Sequence, residues 1–326
     1  MSKYRTEIMG LSALWILIFH LLTQKLMKLP VLSELLGLLT HGNLGVDIFL
    51  LLSGMGLYYS YKKSKENTLV FYKKRLKRLL IPYFSISIVY CILNIFINPT
   101  YIHTYINDLL LYSFWAEGRQ VFWFIALIVP LYFLYPLIFK IANSKHFLIK
   151  CFFCILFIYI LLYILLECDL KAYSKIEIAL TRIPVFLLGS IVGRYVYENK
   201  TLNFYEKFLS LSIFIIALCM FNDKSFHKIN WHCFRIYYFA FGIAFCIWIA
   251  IFLECLNNNV LNKILRIFGG MSLEIYLLHL AMIYTRPIKI MSYSFLVIGL
   301  GTLIVAYLLH YKIFPKIYRR MELTNE

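Results

Sequence analysis

Two ionisable side chains lie inside long apolar runs near the start of the chain. His20 ends the segment EIMGLSALWILIFH, and Asp47 lies in GNLGVDIFLLLSG. A charged side chain at the centre of a bilayer costs about 2.5–3.5 kcal/mol on insertion scales, so such residues are candidates for function. Neutral imidazole takes and returns a proton near neutral pH, which makes His20 a candidate general base. A neutral, hydrogen-bonded packing histidine is the alternative.

Asp47 is expected at a depth comparable to that of His20. At 1.5 Å per residue, Asp47 lies roughly 6 Å and His20 roughly 10 Å below the outer face of a bilayer. A carboxylate bonded to one ring nitrogen fixes the tautomer of an imidazole and stabilises its protonated form. Asp47 is therefore predicted to orient His20, directly or through water. The alternative is a helix-start aspartate that interacts with the helix dipole.

A dense basic segment, FYKKRLKRLLIPYF, precedes the third apolar run. Arg75 and Arg78 lie one helical turn apart in it, and Lys77 adds to the patch. Guanidinium groups match the geometry of phosphate, so an anion site is one interpretation. Anchoring at lipid headgroups is the other, and charge alone favours it.

Two further ionisable residues lie in SLEIYLLHL, near the end of the chain. Glu274 and His279 are five positions apart, so they do not share one face of a helix. Counted from the inner face, Glu274 lies at about 9 Å and His279 at about 17 Å. Structural polar pairing and catalysis explain the two residues equally well.

Membrane helices are the elements that must position these side chains. The chain has 326 residues, of which 62% are apolar and 15% charged, and its mean hydropathy is +0.76. Soluble domains are usually ~45–50% apolar and ~25% charged, so the composition excludes an ordinary soluble protein and a disordered one. The apolar runs lack period-two alternation, which favours helices over a barrel.

We predict an all-α integral membrane protein with about ten spans and a single transmembrane domain over 1–326, without a separate soluble domain. Each span needs ~20 mostly apolar residues. The spans are placed at 7–26, 43–61, 79–97, 121–139, 147–166, 183–199, 208–221, 233–253, 268–285 and 292–311.

The distribution of positive charge predicts the orientation. With a cytoplasmic N-terminus, about two thirds of the 33 Lys and Arg residues fall on the cytoplasmic side. Both termini and the basic loop 62–78 are therefore expected inside, and the loop 98–120 outside, where it can form an interfacial helix. The net charge of +17 points to cytoplasmic loops and anionic lipid, not to nucleic acid.

Taken in order, six segments resemble the membrane-bound acyltransferase 3 family, and the likeness covers nearly the whole chain. The segments are EIMGLSALWILIFH, GVDIFLLLSGMGL, RLKRLLIPYF, VFWFIALIVPLYFLYPLI, RIPVFLLGSIVG and SLEIYLLH. The resemblance implies an enzyme of a bacterial cytoplasmic membrane. It would transfer an acyl group, usually acetyl, from cytoplasmic acyl-CoA to a hydroxyl of an extracytoplasmic glycan or glycolipid.

The resemblance also assigns roles to individual residues. By motif match, His20 would be the catalytic histidine, and Arg75 and Arg78 would contact the phosphates of the donor, with Lys77 and Tyr83 grouped beside them. The family often has an arginine eleven positions before the histidine. Here that position is Met9, and Arg5, one turn earlier, is a candidate substitute.

In the expected reaction, His20 deprotonates the acceptor hydroxyl, which attacks the thioester carbonyl. An acyl-histidine relay is an open variant. An oxyanion donor is also required. Candidates for it and for other support are Ser53, Tyr83, Trp123, Arg182, Glu274 and His279.

Neither a metal nor a permanently bound cofactor is expected, since acyl-CoA is a substrate. The expected partners are acyl-CoA, the acceptor, the bilayer and glycan-assembly machinery. Two other functions remain open. One is a proton-coupled transporter or flippase, and the other is a non-catalytic family member in a glycan-assembly complex.

Overall fold

The computed structural model describes residues 1–24, 33–221, 231–285 and 294–323. Within these ranges the chain is helical and contains no strand, as the hydropathy pattern predicted. One-turn 3-10 helices occur at Ser2–Tyr4 and Pro99–Tyr101. The longer helices are α1 (Arg5–Thr23), α2 (Ser33–Thr40), α3 (Leu44–Lys63), α4 (Thr68–Ile97), α5 (Ile102–Leu109), α6 (Tyr112–Glu117), α7 (Trp123–Ala142), α8 (Phe147–Cys168), α9 (Leu170–Leu180), α10 (Ile183–Tyr197), α11 (Phe204–Phe221), α12 (Trp231–Leu256), α13 (Asn259–Gly270), α14 (Ser272–Tyr284) and α15 (Ser294–Met321).

Seven helices in the described part of the chain are long and apolar enough to cross a bilayer. They are Ser2–Thr23, α3, α4, α7, α8, the combined segment Leu170–Tyr197, and α15. The pair α13 and α14, bent by 60° at its junction, is an eighth candidate. The chain is therefore a multi-pass membrane protein, while the count of about ten is not confirmed.

The difference in count has identifiable sources. The spans predicted at 208–221 and 233–253 fall in α11 and α12, and the apolar helix described inside α12 is the shorter Ala240–Leu256. Residues 25–32, 222–230 and 286–293, which include several lysines and arginines used to predict the orientation, lie outside the described ranges. The two sides of the membrane thus remain a prediction.

Helix α4 extends further than the apolar run that predicted it. The Asn67 side chain caps its first turn by accepting a hydrogen bond from the backbone N–H of Val70, at 3.1 Å. The basic segment, expected as a loop over 62–78, is consequently helical from Thr68 onwards. Arg75 and Arg78 therefore project from the same rigid helix that continues into the apolar core.

The segment 171–182, which lies between the spans predicted at 147–166 and 183–199, is also largely helical. It forms α9, and a short turn at Thr181 and Arg182 joins it to α10. Arg182 lies in this turn with only 1% of its surface exposed. Arg182 therefore places a buried positive charge in the core at the junction of α9 and α10.

Two close helix crossings depend on glycine. A Cβ atom on Gly269 of α13 would overlap the carbonyl oxygen of Thr6 in α1, and one on Gly189 of α10 would overlap that of Leu51 in α3. Small residues let membrane helices approach until their backbones touch. These two crossings hold α1 and α3, the helices that carry His20 and Asp47.

Candidate active site

The fold brings two histidines together in the centre of the bundle. His20 on α1 and His279 on α14 are in ring contact, with centroids 5.0 Å apart. His279 is fully buried, whereas His20 is half-buried. Their contact joins residues that the sequence placed on different helices at similar depths, about 17 and 20 Å from the inner face.

A backbone carbonyl fixes the tautomer of His279. Its Nδ1 lies 2.7 Å from the carbonyl oxygen of Ile275, and because a carbonyl only accepts, Nδ1 must donate. The lone pair of the neutral ring is then on Nε2. This atom is buried and has no hydrogen-bond partner among the described residues. His279 therefore presents an unused proton acceptor beside His20.

Asp47 forms a buried ion pair with an arginine. Its Oδ1 lies 3.4 Å from Nε of Arg182, and both side chains are 2% exposed. The Arg182 guanidinium also lies over the ring of Trp123, 4.9 Å from its centroid, and donates to the carbonyl of Ile178. The direct contact between Asp47 and His20 that the sequence suggested is not formed among the described residues. Asp47 is held by an arginine, which opposite charge in an apolar core favours.

Two arginines converge at the opposite end of α1 from His20. Arg5 donates from Nε to the carbonyl of Leu52, at 3.0 Å. Arg75 donates from Nε to the Ser60 hydroxyl, at 3.0 Å, and from Nη2 to the carbonyl of Gly56, at 3.2 Å. The two cations repel each other, and no described carboxylate pairs with either of them. Their remaining N–H groups therefore form a positively charged site.

The other three residues predicted to bind the donor, Arg78, Lys77 and Tyr83, lie in different surroundings. Arg78 is exposed, and Lys77 lies 5.8 Å from the ring centroid of Tyr318. The Tyr83 hydroxyl donates to the carbonyl oxygen of Leu109 in α5, at 2.8 Å. Tyr83 also lies eight residues beyond Arg75, which is about 12 Å along a helix. Its hydroxyl thus connects α4 to α5 and does not belong to the arginine site.

A cavity of about 120 Å³ lies among α1, α3, α4, α7 and α14. Its lining is mostly apolar and includes the Ser53 hydroxyl, which the sequence proposed as an oxyanion donor. The lining residues are Met9, Ile16, Val46, Phe49, Ser53, Leu79, Phe124, Ile128, Tyr132, Ser272, Leu273 and Tyr276. We call this space the inner cavity.

The position of the inner cavity follows from the helices that line it. On α1, Met9 lies one turn after Arg5, and Ile16 lies one turn before His20. Both residues line the cavity. The cavity therefore occupies the stretch of α1 between the arginine and the histidine.

Two other helices each agree with one half of this order. On α4, Leu79 lines the cavity one turn after Arg75, and on α14, Tyr276 lines it one turn before His279. The Tyr276 ring contacts that of His279, with centroids 6.0 Å apart. Three helices thus place the inner cavity on a path from the arginines to the histidine pair.

Tyr276 has a hydroxyl that is available for a further interaction. Its oxygen accepts the backbone N–H of Phe124, at 3.1 Å. A phenolic oxygen that accepts in this way still carries its own proton to donate. The sequence analysis did not select Tyr276, since a tyrosine in an apolar run has no distinguishing pattern.

A second, larger cavity of about 580 Å³ has Ile283, one turn of α14 after His279, in its lining, and we call it the outer cavity. It is rich in tyrosine and in amide side chains. The lining residues are Tyr90, Asn94, Ile97, Asn98, Tyr101, Thr104, Tyr105, Glu117, Arg119, Ile283 and Tyr284.

An ion pair forms part of the wall of the outer cavity. Nε and Nη2 of Arg119 each donate to one carboxylate oxygen of the buried Asp108, at 2.9 Å. Hydrogen bonding to Asp108 raises the pKa of the Arg119 guanidinium above its usual value. The guanidinium thus remains protonated, and its charge is offset by a fixed carboxylate.

Glu274, one of the predicted supporting residues, does not contact His279. Its Oε1 lies 2.9 Å from Nδ1 of His310 on α15. The two residues share an interface between helices, in line with the structural alternative. No group of three His, Cys, Asp or Glu side chains in the described ranges is arranged to hold a metal ion.

Comparison with known proteins gives one match. A family model described as an acyltransferase domain, that of acyltransferase 3, matches residues 10–311, which is nearly the whole chain. No curated protein and no solved structure matches the chain. The arginine site, the two cavities and the histidine pair all lie in or directly beside the matched region.

Proposed function

Because the chain belongs to the acyltransferase 3 family, we propose that it transfers an acyl group, in the simplest case acetyl, from cytoplasmic acyl-CoA to a hydroxyl group of an extracytoplasmic carbohydrate or glycolipid. Family membership and the apolar helices make it a multi-pass membrane acyltransferase in general. The donor, the acceptor and the residue roles given below are our proposal.

One observation carries this proposal: residues that line the inner cavity lie one helical turn from Arg5 and Arg75 and one turn from His20 and His279, and the outer cavity is lined one turn beyond His279. A donor with a charged head and a thin arm requires this order of groups. The guanidinium groups of Arg5 and Arg75 match the phosphates of the donor, and the small, largely apolar inner cavity matches its pantetheine arm. The distance from the inner face to His20, about 20 Å, is comparable with the length of a pantetheine chain.

The chemistry assigned to His20 is proton transfer. The acceptor oxygen attacks the thioester carbonyl carbon, and His20 removes the hydroxyl proton. When the tetrahedral intermediate collapses, the C–S bond breaks, and the same proton passes to the thiolate sulfur. The products are an ester and free coenzyme A, so atoms and charges balance. An acyl-histidine variant uses the same ring as the nucleophile.

His279 supports His20 in this scheme. The hydrogen bond from Nδ1 of His279 to Ile275 leaves the lone pair of the ring on Nε2. This lone pair favours an arrangement in which His20 and His279 share the transferred proton. Each imidazole is desolvated by the core, so a neighbouring acceptor stabilises the protonated form. His279 is thus proposed to be a positioning residue that acts through His20.

The Tyr276 hydroxyl is the proposed oxyanion donor. It lines the inner cavity one turn from His279, and its proton is not used by a described acceptor. A fixed donor aimed at the developing oxyanion contributes about 2.7–4 kcal/mol in known acyl-transfer enzymes. Ser53 lines the same cavity and is the second candidate.

Transfer from labelled acetyl-CoA in membrane vesicles tests the proposal. His20→Gln keeps the volume but removes the basicity, so we expect transfer to fall by about 10²- to 10⁴-fold. His146→Gln, a change at an exposed histidine between α7 and α8, is the control and should be neutral. Wild-type transfer by the His20→Gln variant would contradict the assigned chemistry. Mass spectrometry of surface glycans, with and without the gene, tests the acceptor class.

A further inference from the structure

We infer that the outer cavity is the subsite for the acceptor, and that it is built for an uncharged, hydroxyl-rich ring such as a neutral sugar unit. The inference rests on the proposed function and specifies it further. An anionic acceptor, such as a uronic acid or a phosphate-bearing unit, is disfavoured. Three properties of the cavity support this assignment: its lining, its charge and its distance from the histidines.

The lining of the outer cavity suits a sugar ring. A volume of about 580 Å³ is within the range of about 300–1,000 Å³ that is usual for ligand sites. Tyr101 and Tyr105 offer flat aromatic faces against which the apolar face of a ring can pack.

Asn94 offers its amide oxygen as an acceptor, because its two amide N–H groups already donate to the Tyr90 carbonyl and the Thr285 hydroxyl. Asn98 offers its amide N–H groups as donors, because its oxygen accepts the backbone N–H of Thr100. One acceptor and one donor amide together match the hydroxyl groups of a sugar.

The charges of the outer cavity oppose an anion. Glu117 and Arg119 are the charged side chains in its described lining. The guanidinium of Arg119 is bound through two nitrogens to Asp108, which also accepts hydrogen bonds from the hydroxyls of Ser113 and Tyr90. An anion would have to compete with this buried carboxylate and lie near Glu117. A neutral hydroxyl needs only the N–H groups of Arg119 that remain free.

The outer cavity comes within one helical turn of the histidine pair. Ile283 belongs to its lining and follows His279 by one turn of α14, about 6 Å. Ile283 also belongs to one buried apolar cluster with Leu17 and Leu21, which lie on either side of His20 in α1. A ring in this cavity would thus extend one hydroxyl towards His20, while the donor approaches through the inner cavity.

Direct binding tests the assignment without any transfer. The probes are methyl glycosides of glucose, galactose, mannose and N-acetylglucosamine, each neutral, together with methyl glucuronide and methyl galacturonide. Saturation-transfer NMR on the full-length protein in detergent measures their binding. We expect at least one neutral glycoside to bind at least tenfold more tightly than either uronide.

Matched variants locate the binding. Tyr101→Ala should weaken binding of the neutral glycoside at least fivefold. Tyr112→Ala should have no effect, because Tyr112 is an exposed tyrosine of the same segment that does not line the cavity. Glu117→Lys should raise the affinity for the uronides. Equal or tighter binding of uronides to the wild type, or no Tyr101-dependent binding across the whole panel, would overturn the inference.

The outcome separates this inference from the proposed function. Sugar binding in the His20→Gln variant should equal that of the wild type, because the subsite does not need the base. If the neutral glycoside binds through Tyr101 while His20→Gln transfers normally, the subsite stands and the assigned chemistry fails. If transfer depends on His20 but uronides bind best, the chemistry stands and the subsite assignment fails.

Discussion

At the scale of single residues, Arg5 and Arg75 are two like charges held side by side by backbone carbonyls and one hydroxyl. A charge-assisted hydrogen bond is worth about 1.5–3 kcal/mol, so Arg5→Ala and Arg75→Ala should each raise the Kd for acetyl-CoA by roughly 10- to 100-fold. Lysine at either position should rescue only part of the loss, because it lacks a planar fork. Isothermal titration calorimetry on the purified protein measures the effect.

The control for this prediction is Arg319→Ala, since Arg319 is exposed and lies near the end of the described chain. Its affinity for acetyl-CoA should remain that of the wild type. An unchanged Kd in the Arg5→Ala, Arg75→Ala double variant would assign both residues to structural contacts with α3 and remove the donor site.

The ion pair between Asp47 and Arg182 predicts a different kind of defect. Asp47→Asn removes the carboxylate charge beside the buried guanidinium, and breaking a buried ion pair in this way typically costs about 3–5 kcal/mol. We expect a clear fall in the Tm of the detergent-solubilised protein. The double variant Asp47→Asn, Arg182→Gln removes both charges and should recover most of the loss. Lost transfer with an unchanged Tm would restore the direct catalytic role suggested by the sequence.

The sequence revealed which residues are ionisable in an apolar setting, but not how they pair. His20 and His279 are far apart along the chain, so their contact follows from how α1 packs against α14. Asp47 was paired with His20 because sequential spans are often neighbours, yet the turn between α9 and α10 introduces Arg182 at that point. Arg5 was noted only as a substitute for a missing arginine.

At the scale of elements, the crossing of α1 and α13 should be sensitive to a single methyl group. A Cβ on Gly269 would overlap a backbone carbonyl oxygen, and backbone cannot move aside as a flexible side chain can. Gly269→Ala should therefore destabilise the protein by about 1–3 kcal/mol or more. Because α1 carries His20, transfer should fall as well. A thermal melt followed by intrinsic fluorescence measures the first effect.

Gly242→Ala in α12 provides a matched comparison, because none of the described residues lies within 4 Å of the Cβ that it adds. This variant should melt at the wild-type temperature and keep full transfer. Should Gly269→Ala behave in the same way, the close packing of α1 and α13 would not be needed to hold the site.

Hydropathy predicted the helical class and most of the helix positions, because long apolar runs have few other structures available in a membrane. Hydropathy misplaced helix boundaries where charged residues lie within a helix. The basic residues after Asn67 continue α4, and the lysines of 171–182 lie within α9. The 60° bend between α13 and α14 also has no hydropathy signal, since both halves are apolar on at least one face.

At the scale of the whole molecule, the proposal requires that the two cavities open to opposite sides. The predicted topology places the segment 62–78 inside and 98–120 outside. Cysteines introduced at Ser64 and at Thr100, in a background without the eight native cysteines, test it. A membrane-impermeant maleimide added to intact cells should label the cysteine at position 100 and spare the one at position 64.

Permeabilised cells are the control, because both positions should then react. Labelling of position 64 from outside intact cells would reverse the orientation. The arginine site would then face away from the cytoplasmic pool of acyl-CoA, and the proposed donor route would fail with it.

The small apolar cluster of Leu17, Leu21, Ile283 and Ile298 beside the histidines has a consequence for the energy supply of the cell. An enzyme that is entered from both faces of a bilayer must not let water form a continuous file, because protons would follow it. Apolar constrictions in membrane proteins can interrupt a file of water by dewetting. If the two substrates enter from opposite faces as proposed, this cluster would block proton leakage while they meet.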